Sequence, residues 1–273
     1  MAHPQIAAFS RLAKENTNPA RLLAGQKTLL SRTMHDIRYD EIRDEFIVNN
    51  PFAHAILIFR GSADKEEAPI RIIQGPHTEL GGSSRLELDS VNGEIYVPEG
   101  RRILVFPRGA NGDVAPVRIL GGPDTRIRNA GGVAVDPVHN LVVVGTQFRG
   151  EGVSAGSLLF YDRTANGNVK PRAAIQGPNS GLVRALQMQI YPPKGWIVVA
   201  QAGAGDEMEP EDVFVGVWNI NDNGDVPPRW KLGGPKSGLK KPRGVTLNPK
   251  HKEMYVADMR LNEVLTFYFP ELF

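Results

Sequence analysis

Residues 109–125 read "GANGDVAPVRILGGPDT", and the chain writes this line more than once. Residues 164–180 are "TANGNVKPRAAIQGPNS", residues 221–237 are "NDNGDVPPRWKLGGPKS", and residues 62–78 give a worn copy, "SADKEEAPIRIIQGPHT". Each copy carries a Gly-Pro: Gly75-Pro76, Gly122-Pro123, Gly177-Pro178 and Gly234-Pro235. Sixteen residues before each of these glycines stands an aromatic: Phe59, Phe106, Tyr161 or Trp218. Phe9 keeps the same offset from Gly25, which makes a fifth copy with Gln26 in place of proline.

The five glycines are spaced by 50, 47, 55 and 57 residues, a period that suits propeller blades better than helical solenoids. Each period holds four short runs of strand chemistry. In the cleanest copy these are 131–136, 141–145, 157–162 and 172–177, with "PVHN" between the first two and "ANGN" between the last two. Asn-Gly at 111–112, 166–167 and 223–224 reads as a tight hairpin turn, since both residues accept a positive φ. A second ruler fixes the register. The first strands end at Asp40, Asp89, Asp136, Tyr191 and Asn248, and eight residues on stand Val48, Val97, Val144, Val199 and Val256. Several runs are apolar throughout, as sheets covered on both faces require.

These patterns predict an all-β fold, a β-propeller of four-stranded antiparallel blades, with five blades as the reading and six as the alternative. One domain then spans residues 1–273, its repeats starting near Phe9, Phe59, Phe106, Tyr161 and Trp218 and closing at 264–269. Five segments fit each of the first, second and fourth strands. Six fit the third, because "PQIAAFS" and "EVLTFYF" compete for one slot. In the five-bladed reading, N-terminal residues complete the last sheet and leave no free edge.

Residues 242–267, "PRGVTLNPKHKEMYVADMRLNEVLTF", and less fully 130–147, resemble the NHL-repeat β-propellers. The resemblance runs from about Phe9 to Phe267. It implies a ring of blades around a central channel. It also brings calcium-dependent lactonases, which hold metal by carboxylates and amides from several blades, and lyases that hold zinc by inner-strand histidines.

Composition narrows the function classes. With 41% apolar and 23% charged residues the chain is an ordinary globular one, and a net charge of +2 gives no case for nucleic acid. No apolar run reaches a membrane span, and the first residues lack the long apolar stretch of a signal peptide. A leader removed ahead of them would make the protein an exported one, periplasmic or extracellular. Zero cysteines exclude disulfides, thiolate catalysis and cysteine zinc sites.

Two residues past each aligned valine stand Asn50, Glu99, Thr146, Gln201 and Asp258, one polar side chain per blade. As strand ends at a channel mouth they form a candidate ligand ring, joined by Arg85 and Arg243 from the exit loops. The calcium-dependent relatives make Asn50, Glu99 and Asp258 candidate ligands for Ca²⁺. The alternative is that strand ends are polar because they meet water. An inner ring at Arg38, Glu87, Ala134, Gln189 and Thr246 predicts a structural Arg38–Glu87 pair between neighbouring blades. Exit-loop cations, among them Arg126, Arg128, Arg184, Lys240 and Lys241, suggest an anionic ligand. The acidic insertion 202–214 and the insertion 147–157 read as a wall or lid. "GVSAG" at 152–156 lacks the following helix that a nucleophile elbow needs. His35, His54 and His77 lie on the candidate face, but the aligned positions Ser84, Gly131, Leu186 and Arg243 break a histidine zinc pattern.

The residues leave three functional readings. The first is a non-enzymatic propeller binding a protein or small-molecule ligand on its loop face. The second is a metal-assisted lactonase or esterase, and the third a structural module of a larger assembly.

Overall fold

A computed structural model describes residues 4–32, 34, 36–83, 85–150, 153–203 and 208–273. Its strands, in chain order, are β1 (Gln5–Ala8), β2 (Arg21–Ala24), β3 (Ile37–Asp40), β4 (Glu45–Asn50), β5 (Ala55–Arg60), β6 (Arg71–Gln74), β7 (Glu87–Asp89), β8 (Glu94–Glu99), β9 (Arg102–Pro107), β10 (Arg118–Gly121), β11 (Ala130–Asp136), β12 (Leu141–Gly150), β13 (Val153–Asp162), β14 (Ala173–Gln176), β15 (Ala185–Tyr191), β16 (Trp196–Gln201), β17 (Phe214–Asn219), β18 (Trp230–Gly233), β19 (Pro242–Asn248), β20 (Glu253–Asp258) and β21 (Glu263–Tyr268). Helix appears among the described residues only as three-residue 3-10 turns.

The sheets run β3-β4-β5-β6, β7-β8-β9-β10, β11-β12-β13-β14, β15-β16-β17-β18 and β19-β20-β21, with β1-β2 as a sheet of its own. Five first strands open five blades, so the fold is a five-bladed β-propeller. The first strands end at Asp40, Asp89, Asp136, Tyr191 and Asn248, as the aligned positions predict. The third-strand surplus is real, for β1 and β21 are both strands. The four-stranded closure differs from expectation: β21 pairs with β20 and β1 with β2, giving sheets of three and two strands.

The chain divides into two compact units, Met1–Ile95 with Val105–Val117, and Tyr96–Leu104 with Arg118–Phe273. In the first unit, Leu23 of β2 packs with Phe46, Val48, Leu57 and Phe59, covering one face of the sheet β3–β6. In the second, Val143, Phe160, Met188, Val199, Phe214 and Trp218 share one core, and Val217, Val245, Met254 and Leu272 belong to the next. Phe59, Phe106, Tyr161 and Trp218 are all fully buried, each contributing on the order of 2–3 kcal/mol by leaving water. Phe9 departs from them, since it lies just past β1 and is half exposed.

The inner strands approach closely. A Cβ on Gly132 would stand 2.3 Å from the Leu186 carbonyl oxygen, so only glycine lets β11 lie against β15 there. Further on, Gln187 and Gln189 reach from β15 and accept the Val245 and Leu247 N–H groups of β19, both at 2.8 Å.

The repeated line turns out to be an interlock. The expected Asn-Gly hairpin turn is not what reverses the chain: Gly112, Gly167 and Gly224 have positive φ, but their asparagines do not. Instead each Asn-Gly forms a clip on the fourth strand of the preceding sheet. The Asn111, Asn166 and Asn223 side chains accept the N–H groups of Ile72, Ile119 and Ala174, each at 3.0 Å. The glycine N–H groups then donate to the same residues' carbonyls at 2.6–2.7 Å. The next side chain, Asp113, Asn168 or Asp225, accepts the N–H of His77, Asp124 or Ser180 beyond the Gly-Pro. The worn copy does the same with Asp64, Lys65 and Glu66 against Leu22 and Gln26. The outer edges of β2, β6, β10 and β14, which would otherwise invite foreign pairing, are closed in this way by the following repeat.

Candidate functional site

The second strands end where the exit loops pass, and the candidate residues are spent on those loops. In the first unit, Asn50 ends β4, donates to the Leu29 carbonyl at 2.7 Å and accepts the Ser31 hydroxyl. Asn49 beside it donates to the Arg85 carbonyl at 2.9 Å. In the second unit, Gln201 ends β16, and its carbonyl accepts the Val183 and Arg184 N–H groups at 3.3 and 2.9 Å. Asp258 ends β20. One oxygen takes the Lys240 and Lys241 N–H groups at 2.8 Å, and the other takes those of Arg260 and Leu261 at 3.0 and 3.2 Å. Thr146 shares a hydroxyl hydrogen bond of 2.7 Å with Ser157 of β13. Asn50, Thr146, Gln201 and Asp258 are buried; Glu99, Arg85 and Arg243 are half-buried.

Asn50 in the first unit and Gln201 and Asp258 in the second therefore do one job: they fasten the loop that leads into a first strand, whereas Thr146 ties β12 to β13. Strand ends at this position are polar to serve backbone groups that water cannot reach. The Gln201 side-chain nitrogen is buried and meets no acceptor among the described residues.

The predicted Arg38–Glu87 pair is present, with Arg38 Nε 2.8 Å from a Glu87 oxygen, and Asp36 joins it on the other side of the guanidinium. Asp36 also accepts the Leu86 N–H at 3.2 Å, so it ties β3 to the start of β7. Burial pushes the Glu87 carboxyl up, and Arg38 pulls against that. Burial lowers the Arg38 guanidinium's affinity for its proton, but the charges of Asp36 and Glu87 outweigh it and hold Arg38 above its usual value.

Glu209 of the acidic insertion meets one exit-loop cation, Lys240, and Arg260 of the turn between β20 and β21. One Glu209 oxygen lies 3.0 Å from Lys240 Nζ and the other 3.1 Å from Arg260 Nε. The Lys240 hydrogen bond and charge, then those of Arg260, hold the Glu209 carboxyl below its ordinary range. All three side chains face solvent. The second insertion is not a loop: it extends β12 and β13 to ten residues each, and Ser154 pairs with Arg149 inside that ladder. A strand in place of a helix removes the elbow that Ser154 would need.

His77 is an exposed partner of Asp113 at 2.6 Å, His139 caps against Asp136 at 2.7 Å, and His54 ends a 3-10 turn in the left-handed region. His35 and Ser84 lie outside the described residues, as do Asp206 and Glu207 of the acidic insertion. No group of three or more His, Asp or Glu placed to hold a metal occurs among the described residues.

Sequence reasoning missed a charge network at the opposite ends of the first strands. Arg108 reaches Asp40 and, at 2.6 Å, Glu45, while Arg71 meets Glu45 at 2.5 Å. Its signal was Asp at three of five first-strand ends, but nothing in the spacing names Arg108 as the partner.

No protein-family model and no curated protein sequence matches the chain. Solved structures do. A structure described as a nidogen/laminin complex shares 14% identity at a TM-score of 0.66, covering 100% of this chain and 89% of the other. Hydrazine synthase of Kuenenia stuttgartiensis shares 12% at 0.59, with 85% and 70% covered. A functionally unknown protein from Desulfotomaculum acetoxidans gives 12% and 0.56, with 92% and 72% covered. Likeness at this identity speaks for the β-propeller fold and for nothing narrower.

Proposed function

We propose that this chain is a non-enzymatic propeller of the NHL type whose loop face binds an anionic protein or small-molecule partner. The observation that carries this reading is the Glu209 carboxylate held between Lys240 and Arg260. An exposed acid from an insertion occupies a two-cation cradle that another carboxylate can take over, and exposed pairs of this kind are weakly held. Gln201 and Asp258, in the unit that holds the cradle, support the face by fixing loops that carry cations, with Arg243 at the entry to β19. The side-chain oxygens of Asn50 and Asp258 already serve hydroxyl or backbone donors, so the alternative reading, Ca²⁺ on Asn50, Glu99 and Asp258 in a lactonase, requires those bonds to open.

The test is a thermal-shift titration with a poly-glutamate peptide, citrate and inorganic phosphate, on the parent protein and on Lys240→Ala/Arg260→Ala. A saturable rise in melting temperature for at least one probe, lost in the double variant, supports the reading. Equal shifts in both proteins, or turnover of a lactone or aryl ester by the parent, overturn it.

A further inference from the structure

The chain holds four Asn-Gly pairs: Asn92-Gly93 besides the clip pairs at 111–112, 166–167 and 223–224. At each of them the backbone can attack its own side chain. Once hydroxide has taken the glycine N–H proton, that nitrogen bonds to the asparagine Cγ and the side-chain nitrogen leaves as ammonia. The cyclic imide then takes up one water and opens to aspartate, or to isoaspartate, whose main chain runs through the side-chain carbon. Nothing is oxidised or reduced. Glycine favours the attack because no Cβ shields its nitrogen. All four asparagines are exposed, so what decides their fate is how firmly the fold holds nitrogen and Cγ apart.

In the three clips both groups are pinned to a distant strand. The asparagine oxygen accepts an N–H from a residue 39–49 positions away, and the glycine N–H donates to the carbonyl of that same residue. The glycine carbonyl takes a further N–H, from Gln74, Gly121 or Gln176, at 3.1 Å. Freeing such a pair means stripping a clip from a sheet edge. Asn92 is held by its own turn instead, between β7 and β8. Its N–H and its side-chain nitrogen donate to the Asp89 carboxylate at 2.9 and 2.8 Å, and the Gly93 N–H donates to the Asp89 carbonyl at 2.8 Å. The Asn92 side-chain oxygen accepts no hydrogen bond among the described residues. One residue a few positions back therefore restrains both reacting groups, and a fluctuation of a single surface turn releases them together.

We propose that Asn92 is a modification site, which the folded protein converts spontaneously to aspartate and isoaspartate while the three clip asparagines stay intact. The change reaches further than the turn. The Gly93 carbonyl accepts the Arg108 N–H at 2.8 Å, and Arg108 is the cation that meets buried Asp40 and Glu45. Isoaspartate at 92 lengthens the main chain by one carbon immediately before that carbonyl, and a new carboxylate stands where an amide donated to Asp89. Conversion at an exposed turn thereby loosens the charge network that Arg108 closes.

Peptide mapping with isoaspartate detection tests this, after incubation at mildly alkaline pH in buffer and in concentrated urea. The rate in urea calibrates each site, and the slowing from urea to buffer measures the protection that the fold gives. Protection at Asn92 is expected to be about tenfold smaller than at Asn111, Asn166 or Asn223. Asp225→Ala weakens the third clip and is expected to speed conversion at Asn223 about fivefold while leaving Asn92 unchanged. The aged parent is expected to melt at a lower temperature than the fresh one, and Asn92→Ala to show no such drift. Protection at Asn92 equal to that of the clips overturns the proposal, as does an Asn223 that ignores Asp225→Ala. Equal drift in the parent and in Asn92→Ala overturns the link to Arg108.

Discussion

Asp40 shows how much one buried carboxylate organises. It is fully buried at the end of β3, caps the turn by accepting the Ile42 N–H at 3.1 Å, and meets Arg108, itself shared with Glu45. Removing Arg108 leaves Asp40 charged and without its closest cation. Arg108→Ala is therefore expected to cost about 3 kcal/mol in urea unfolding, the range for breaking one side of a buried pair. A loss under 1 kcal/mol would mean that water already reaches the network. Burial raises the Asp40 pKa, but Arg108, the Ile42 N–H and Arg43 outweigh it, so the folded value sits below the unfolded one. Its stabilisation is present above the unfolded pKa and fades as pH falls through the folded value. The melting temperature of the parent should therefore decline on acidification below the ordinary carboxylate range, and Asp40→Asn should show a shallower decline. The aspartate was visible in the sequence as a strand end. Its partner was not, because Arg108 comes from a segment 68 residues away and no local period links the two.

At the scale of elements, the strands were legible and their interlock was misread. Val48, Val97, Val144, Val199 and Val256 mark buried positions in the second strands, since a pleated strand between two covered faces admits little else. The Asn-Gly pairs carry a genuine turn signal, yet tertiary contact redirects it: only the glycine takes the left-handed conformation, and the asparagine side chain caps a neighbouring strand. This separates two kinds of lesion. Asp225→Ala removes the acceptor for Ser180 N–H and for Asn179, and is expected to cost about 1 kcal/mol, as loss of a capping side chain does. Gly177→Ala is expected to cost more, because its φ of +124 disfavours any Cβ and the new atom would meet Asp225 at 2.4 Å. Thermal melts of the two single variants check the order, and the reverse order would show that the clip is peripheral to stability.

For the molecule as a whole, the period of about fifty residues sufficed for the fold, while the site stayed obscure. Polar strand ends read alike whether they face a ligand or a loop, and only the hydrogen bonds of Asn50, Gln201 and Asp258 tell the two apart. The binding reading carries a consequence for metals. EDTA is expected to leave the melting temperature unchanged, and Ca²⁺ to add nothing. A fall with EDTA that Ca²⁺ reverses would return Asn50, Glu99 and Asp258 to the role of ligands.

The clip has a bearing on how such a chain grows. In each line the first clip residue precedes the receiving glycine by eleven residues, as Asn111 precedes Gly122 and Asn166 precedes Gly177. Hook and eye are thus inherited on one short stretch of gene. A tandem duplication of any fifty-odd residues yields a segment whose front grips the preceding blade and whose back receives the next one, so blade number can change without inventing a new joint.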